Sequence, residues 1–364
     1  MITPKEYLDK GYNITPCGAL IYNKKKNKKE WNEKAPRLKK WEEGRARLED
    51  FTEKDNIGLL LNDLEDIDKD NPKTSRFLNL YVKPCSAIYG RKSNPRSHLV
   101  FKGKAKHKKY ALPEAFSNYC KSFSHGTTLI ELRSGEGKQS IVPGSIVEGE
   151  DVKWDVFEGI SPYDGDIEFD VAKVALSTAL SILFPTTGKI NDFCYAVACI
   201  LAKHTKWLNT EIDQFVKEIA EDNGANQKGT VSFMGTHARK QIEARGRTMM
   251  FLTLQNILGL DNQKPLHNIF EWIGIRAPSI HVEKLIKENV YLEDTAEMIN
   301  VKTKETYKKS EFDYKHLFDI PRRPRAFERL LLEPDFQEKK CLGRQFLPNH
   351  DWPIAEVKPG DHPL

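Results

Sequence analysis

Apolar positions in the first half of the chain come in short runs: Ile57–Leu61, Leu64–Ile67, Leu99–Phe101, Leu129–Leu132 and Ile141–Val142. Runs this short, separated by Gly, Pro, Asn and Asp, predict strands. Tyr7-Leu8 and Tyr12 predict a short helix feeding a strand at Ile14, and Leu112–Cys120 predicts another short helix. Lys153–Phe157 reads as an aromatic closing strand. The period then changes. Between Phe169 and Phe184, Val171, Val174, Ala175, Leu176, Ala179, Ile182 and Leu183 form a broad apolar helical face, ended by Pro185. Asn191 or Asp192 is placed to cap a second helix running through Leu201, and Thr210 a third that ends before Gly224.

This pattern predicts an α+β protein in three parts. Residues 1–165 form a catalytic domain of mixed or antiparallel sheets with flanking helices. Residues 166–305 form an all-α helical bundle. Residues 306–364, rich in Pro and charge, form an extended linker or docking tail. The ending His362-Pro363-Leu364 reads as a longer protein cut short.

Composition narrows the class. A length of 364 residues suffices for a sizeable core. No apolar run approaches the ~20 residues of a membrane helix, and the start Met1–Glu6 lacks the apolar stretch of a signal peptide. The six cysteines are irregularly spaced with no Cys-x-x-Cys pair, which argues against a zinc module and suits reduced thiols in a cytoplasmic chain. Net charge is only +5, yet from Lys83 to Lys109 there are nine Lys or Arg and no acid. Such a stretch suits phosphate contact, whereas the run Lys24–Lys29 reads as a solvated hairpin tip or loop.

Chemistry concentrates in three of the predicted strands. Side chains alternate along a strand, so Asp66 and Asp68 share one face, about 7 Å apart. Two carboxylates on one face repel unless a cation sits between them. With Glu131 from a neighbouring strand they supply hard oxygen ligands for one or two divalent metals. Each element has an ordinary explanation: Asp-x-Asp is common, His98 suits a hydrogen-bonded strand histidine, and Glu131 suits a surface ion pair. Order and strand context together favour the site. Lys138 and Lys189 sit in Gly-Lys sequences that lack both the spacer and the following Ser/Thr of a phosphate loop, so ATP hydrolysis by a P-loop is not expected.

Together these residues resemble the archaeo-eukaryotic primase superfamily, in the form of the bifunctional primase–polymerase (prim-pol) domain of plasmid and phage replication proteins. That family carries an acidic pair in one strand, then a Ser-x-His-like strand, then a strand with a third carboxylate. A Gly-containing turn and an apolar-Pro-Ser run follow, matched here by Ser140–Ser145, and then a closing aromatic strand. Lys34-Ala35-Pro36 and Trp41 fit the approach to the first strand. The likeness spans roughly residues 5 to 160, and Asn94-Pro95-Arg96 replaces the usual Gly-rich lead-in to the histidine.

The resemblance implies a DNA-dependent primase and DNA polymerase using Mg2+ or Mn2+. Asp66, Asp68 and Glu131 would be the catalytic metal ligands, with His98, Arg96 and Lys138 on the nucleotide phosphates. Lys102, Lys104, Lys106, Arg239 and Lys240 would meet DNA. The implied partners are a single-stranded DNA template and primer, nucleoside triphosphates, and a replicative helicase domain or protein, in the host cytoplasm if the chain is phage- or plasmid-encoded. Two rivals share these residues: a metal-dependent nuclease, and a non-catalytic single-stranded DNA-binding replication initiator.

Overall fold

A computed structural model describes residues 2–23, 28–121, 126–186, 188–225, 233–245, 250–275, 289–292, 296–300, 306–308 and 340–341. Two compact units divide the chain, Met1–Ile275 and Arg276–Leu364.

The first unit begins with α1 (Pro4–Asp9), whose entry is set by a reciprocal cap: the Thr3 amide donates to the Glu6 carboxylate (2.7 Å) while the Glu6 amide donates to the Thr3 carbonyl (3.1 Å). Then come β1 (Ile14–Asn23), β2 (Lys28–Pro36), β3 (Asn56–Leu60), β4 (Leu64–Lys69), α2 (Thr74–Tyr81), β5 (Ala87–Gly90), β6 (His98–Lys102), β7 (Lys108–Ala111) and β8 (Thr128–Ser134). β9 (Gln139–Ile141), β10 (Ile146–Val147), β11 (Glu150–Asp151) and β12 (Lys153–Phe157) complete the strands of this unit. The predicted helix at Leu112–Cys120 is a 3-10 segment, Glu114–Cys120.

Two main antiparallel sheets result, besides the short β10–β11 pair. One has the order β2-β1-β3-β9, the other β12-β5-β6-β4-β8-β7. Alternation gives the larger sheet two different faces. Ile67, Phe101, Ile130 and Leu132 join one buried cluster, whereas Leu64, Tyr89 and Val100 join another with Tyr7, Ile14, Leu59 and Val142. The polar positions Asp66, Asp68, His98, Glu131 and Arg133 alternate with the first set along their strands, so they share the face of the second.

Behind the first face lie α3 (Ile167–Ile182), α4 (Ile190–His204), α5 (Asn209–Asp222), α6 (Met234–Arg245), α7 (Phe251–Leu258) and α8 (Lys264–Phe270). Asp166 caps α3, accepting from the Phe169 amide at 3.0 Å. The helix starts two residues before Phe169 and is buried almost all round, as befits the central helix of a core. Starts differ slightly from expectation in the next two helices. α4 takes Asn191 and Asp192 into its first turn, and α5 begins at Asn209, where the Glu211 carboxylate accepts from the Leu208 amide at 2.6 Å.

The helical region therefore begins where the sequence indicated, but it does not close a core of its own. Val171, Leu176, Val197, Phe215 and Leu266 pack in one continuous cluster with Ile67, Phe101 and Leu132 of the sheet. Sheet and helices share one interior, and the compact unit runs to Ile275 rather than dividing at 165. In the second unit, β13 (Asn289–Leu292), β14 (Glu297–Asn300), β15 (Thr306–Tyr307) and β16 (Lys340–Cys341) form a sheet ordered β15-β14-β13-β16. The boundary expected at 305 thus falls among strands that pair with one another. Lys24–Lys26, Arg247 and most of the expected 306–364 tail lie outside the described residues. No helix among the described residues is long and apolar enough to cross a membrane.

Candidate active site

β4 is the middle of three central strands, with β6 on one side and β8 on the other. Its register places His98 opposite Asp68 on one side and Glu131 opposite the same Asp68 on the other. Directly opposed residues have Cβ atoms about 5 Å apart, so His98, Asp68 and Glu131 form a single row across the sheet. One step along, Asp66 faces Arg133. The acidic pair and the third carboxylate, separated by more than sixty positions in sequence, are neighbours in space.

The two aspartates differ in environment. Asp66 is fully buried, 0% exposed, whereas the side chains of Asp68 and Glu131 are each 21% exposed. Asp66 is also saturated. It accepts from the His98 Nδ1 at 3.0 Å, takes a short hydrogen bond from the Ser140 hydroxyl of β9, and lies 3.7 Å from the Arg133 guanidinium. Arg133 also reaches Asp68 at 3.6 Å, and it donates to the Ser140 hydroxyl (3.1 Å) and the Gln139 carbonyl (2.5 Å). The cation that two same-face carboxylates require is therefore supplied by the protein itself.

These contacts set the protonation equilibria. Burial alone would raise the Asp66 carboxyl, but the His98 imidazole, then Arg133 and Ser140, hold it below the usual carboxylate range. Burial alone would lower His98, but the Asp66 and Asp68 carboxylates hold it above its ordinary value. At the far end of the row, Glu131 lies 3.4 Å from the His107 Nε2, which is also 3.4 Å from the Lys138 ammonium. Burial and then Lys138 push His107 below its ordinary value.

Two features of the ring of His98 complete its placement. Tyr89 of β5, fully buried, stacks beneath it with centroids 4.6 Å apart and planes 7° apart. Nδ1 is occupied by Asp66, so Nε2 is the remaining ring nitrogen, 3.7 Å from the Asp68 carboxylate. That separation is too long for a hydrogen bond.

The expected ligands are thus brought together, though unequally: Asp68 and Glu131 present carboxylates toward solvent, and Asp66 points inward to its own partners. As they stand, no three His, Cys, Asp or Glu side chains among the described residues are arranged to hold a metal ion. The charge and donor chemistry nevertheless fit a divalent cation. Three carboxylates face one guanidinium, and two negative charges remain when the histidines are neutral.

The other expected contacts divide. Lys138 joins the cluster through His107. Arg96 precedes β6 in a turn, with φ of 50° and its guanidinium 3.6 Å from Asp155 of β12. Gly90 allows that turn to close, because a Cβ there would meet the Asn94 carbonyl oxygen at 2.5 Å and the Arg96 nitrogen at 2.7 Å. Lys69, buried on the opposite face of β4, ties down the same turn by donating to the Pro95 carbonyl (3.0 Å) and the Ser75 hydroxyl (2.9 Å).

Lys102 is exposed at the end of β6, Lys104 pairs with Asp63 at 2.8 Å, and the Lys106 amide donates to Glu168 at 2.9 Å. Arg239 is engaged within the helical region, donating to the Asn209 side chain (2.6 Å) and forming a short hydrogen bond to the Trp207 carbonyl, while Lys240 is exposed. Arg239 thus fastens α6 to the start of α5, which fits a helix tether better than a DNA contact.

Sequence pattern alone does not single out Arg133, Ser140, Tyr89 and His107 as members of this cluster. Arg133 is within its reach: it follows Glu131 by two in a strand and so shares its face. Ser140, Tyr89 and His107 come from strands or turns whose pairing the sequence does not display.

The chain matches no family model, and no curated protein and no solved structure is detectably similar to it.

Proposed function

We propose that this protein is a DNA-dependent primase–polymerase that joins nucleotides on a single-stranded DNA template. The observation that carries the reading is the row His98–Asp68–Glu131 across β6, β4 and β8, with Asp66 one step behind it on the same face. The prim-pol resemblance implied these residue types in this strand order, and the β-pairing sets them side by side.

In the reaction, the 3′-hydroxyl oxygen forms a bond to the α-phosphorus of a nucleoside triphosphate, the bond from that phosphorus to the bridging oxygen breaks, and pyrophosphate leaves. A divalent cation, Mg2+ or Mn2+, held at this carboxylate row would lower the pKa of the hydroxyl and offset the charge on the leaving group. Asp68 and Glu131 supply the accessible carboxylate oxygens. Arg133 holds the acidic pair together, so the row exists before any ligand arrives. Lys138, at the Glu131 end, and Arg96, at the turn before β6, are the cations placed to meet triphosphate oxygens. His98 presents Nε2 to the same space. No side chain need act as general base, since the hydroxyl proton is released to water.

The test is incubation with single-stranded template and labelled nucleotides, with and without an annealed primer, in Mg2+ and in Mn2+. Growing strands with stoichiometric pyrophosphate support the reading. Shortened strands would make the same carboxylates those of a nuclease, and metal-independent binding with no product would make the chain a replication initiator.

A further inference from the structure

The two aspartates of β4 share a face but not a role. Asp66 has every feature of an orienting group: it is wholly buried, it takes the Ser140 hydroxyl and the His98 Nδ1 on its carboxylate, and Arg133 stands beside it. To ligate a cation it would have to break those bonds inside the protein. Asp68 has the opposite character, being partly exposed and meeting His98 Nε2 and Arg133 only at 3.7 and 3.6 Å.

His98 is held for a purpose that its own contacts leave open. Asp66 fixes Nδ1, and with a carboxylate there the favoured neutral tautomer carries its proton on Nδ1 and leaves a bare lone pair on Nε2. Tyr89 fixes the plane of the ring from below. The lone pair then points into the space shared with Asp68, whose Oδ1 is 3.7 Å away. Donors around a divalent metal with bonds of about 2.1 Å lie roughly 3 to 3.5 Å apart. The gap between Nε2 and Asp68 is thus too wide for a hydrogen bond and close to the span of two neighbouring ligands. Glu131, directly across from Asp68 on β8, completes the row with a flexible carboxylate that here leans on His107.

We infer that His98 binds the divalent cation through Nε2, in one row with Asp68 and Glu131, and that Asp66 stands behind it as the carboxylate that orients the imidazole. This rests on the proposed function for the presence of a cation and changes what His98 and Asp66 do there. His98 becomes a metal ligand rather than a direct phosphate contact, and Asp66 a positioning residue rather than a ligand. One nitrogen and two carboxylates form a donor set that Mn2+ accepts readily and that suits Mg2+ less well, since Mg2+ favours oxygen throughout.

Pulsed electron paramagnetic resonance on Mn2+ bound to the intact protein, without nucleotide, reads this directly. Coordinated imidazole gives a 14N modulation of the spin echo. The modulation should be present in the wild type, convert to the 15N pattern when histidine is 15N-labelled, persist in His107→Ala, and vanish in His98→Gln. In Asp66→Asn it should remain, with Mn2+ affinity about 10- to 100-fold weaker, as for loss of an outer-shell partner. In Asp68→Asn and Glu131→Gln, binding itself should be lost.

Bound Mn2+ without nitrogen modulation in the wild type would overturn the inference while leaving the polymerase reading intact. Modulation that survives in His98→Gln, or disappears with His107→Ala, would also overturn it. A protein that shows the nitrogen signal yet never extends a strand would retain the inference and lose the polymerase. Isotope labelling needs no substitution, so the result does not depend on any variant folding.

Discussion

Arg133 stands directly across the β4–β8 ladder from Asp66 and reaches both aspartates of β4, 3.7 Å from one and 3.6 Å from the other. It is the protein's own counter-ion to the acidic pair. Removing it leaves a wholly buried carboxylate with only His98 and Ser140 as partners, so Arg133→Ala should destabilise the fold by about 3 kcal/mol. Urea denaturation checks this, and adding Asp66→Asn to the same variant should restore part of the loss. An unchanged midpoint for Arg133→Ala would mean that the pair holds together without it.

The same relationship reverses one expectation. From spacing alone, deleting Asp66 and Asp68 relieves a repulsion and stabilises the metal-free protein. With Arg133 and His98 already engaged, deleting Asp66 instead removes the carboxylate bonded to His98 Nδ1 and leaves Arg133 only its 3.6 Å contact to Asp68 among the two aspartates. Asp68 is the cleaner probe. Asp68→Asn should lower nucleotide incorporation about 100-fold or more, because a lost metal ligand removes several kcal/mol of charge stabilisation. Its contacts are long and partly exposed, so the thermal midpoint should barely move. Wild-type extension by this variant would dismiss the site.

Stability should depend on pH through the Asp66–His98 pair, with each limb set by one partner. His98 is raised in the folded chain, so its contribution is complete below about pH 6.5, its value when unfolded, and fades as pH climbs through the higher folded value. Asp66 is lowered, so its contribution is present above about pH 4 and fades as pH falls through the lower folded value. Metal-free thermal melts should therefore show a fall on the alkaline side that His98→Gln abolishes. A fall of equal size in that variant would assign it to another group.

Gly90 is a packing test independent of charge. In Gly90→Ala the new methyl meets two backbone atoms of the Asn94–Arg96 turn at 2.5 and 2.7 Å, which cannot swing aside. The expected cost is about 1–3 kcal/mol, with weaker triphosphate binding because Arg96 is carried by that turn. Stability loss without any change in nucleotide affinity would remove Arg96 from the nucleotide site.

Template binding should weaken steeply with salt, and replacing Lys102, Lys104 and Lys106 by Ala should flatten the slope by about 0.7 for each phosphate no longer neutralised. Lys104 already pairs with Asp63 at 2.8 Å and should contribute least. Fluorescence anisotropy across a salt series, with each lysine replaced singly, measures this. An unaltered slope in the triple variant would place the template elsewhere.

Much of the site is legible in the sequence because strand period is simple. Asp66, Asp68, His98 and Glu131 each sit in or directly beside a short apolar run, and alternation alone puts the acidic pair on one face. What alternation cannot supply is which strands are neighbours. β5 and its Tyr89 leave no such trace, nor does the meeting of Ser140 with Asp66 across two sheets. The partition of charge is hidden for the same reason: only register shows Arg133 opposite Asp66. In the helical half, stripes such as Val171, Val174 and Leu176 mark a helix core correctly. They give no sign of what that core packs against.

Ile67, Phe101, Ile130 and Leu132 turn their side chains toward α3 and its neighbours, not toward a solvent boundary. A protein cut at residue 165 would consequently expose the rear of the sheet that carries the candidate site as a greasy wall, and aggregation would be the expected result. A graft of the candidate site onto another protein, or a test of what each half does, should place the seam after Ile275. The helices are then best regarded as the back wall of the candidate site, inherited with its sheet rather than attached to it.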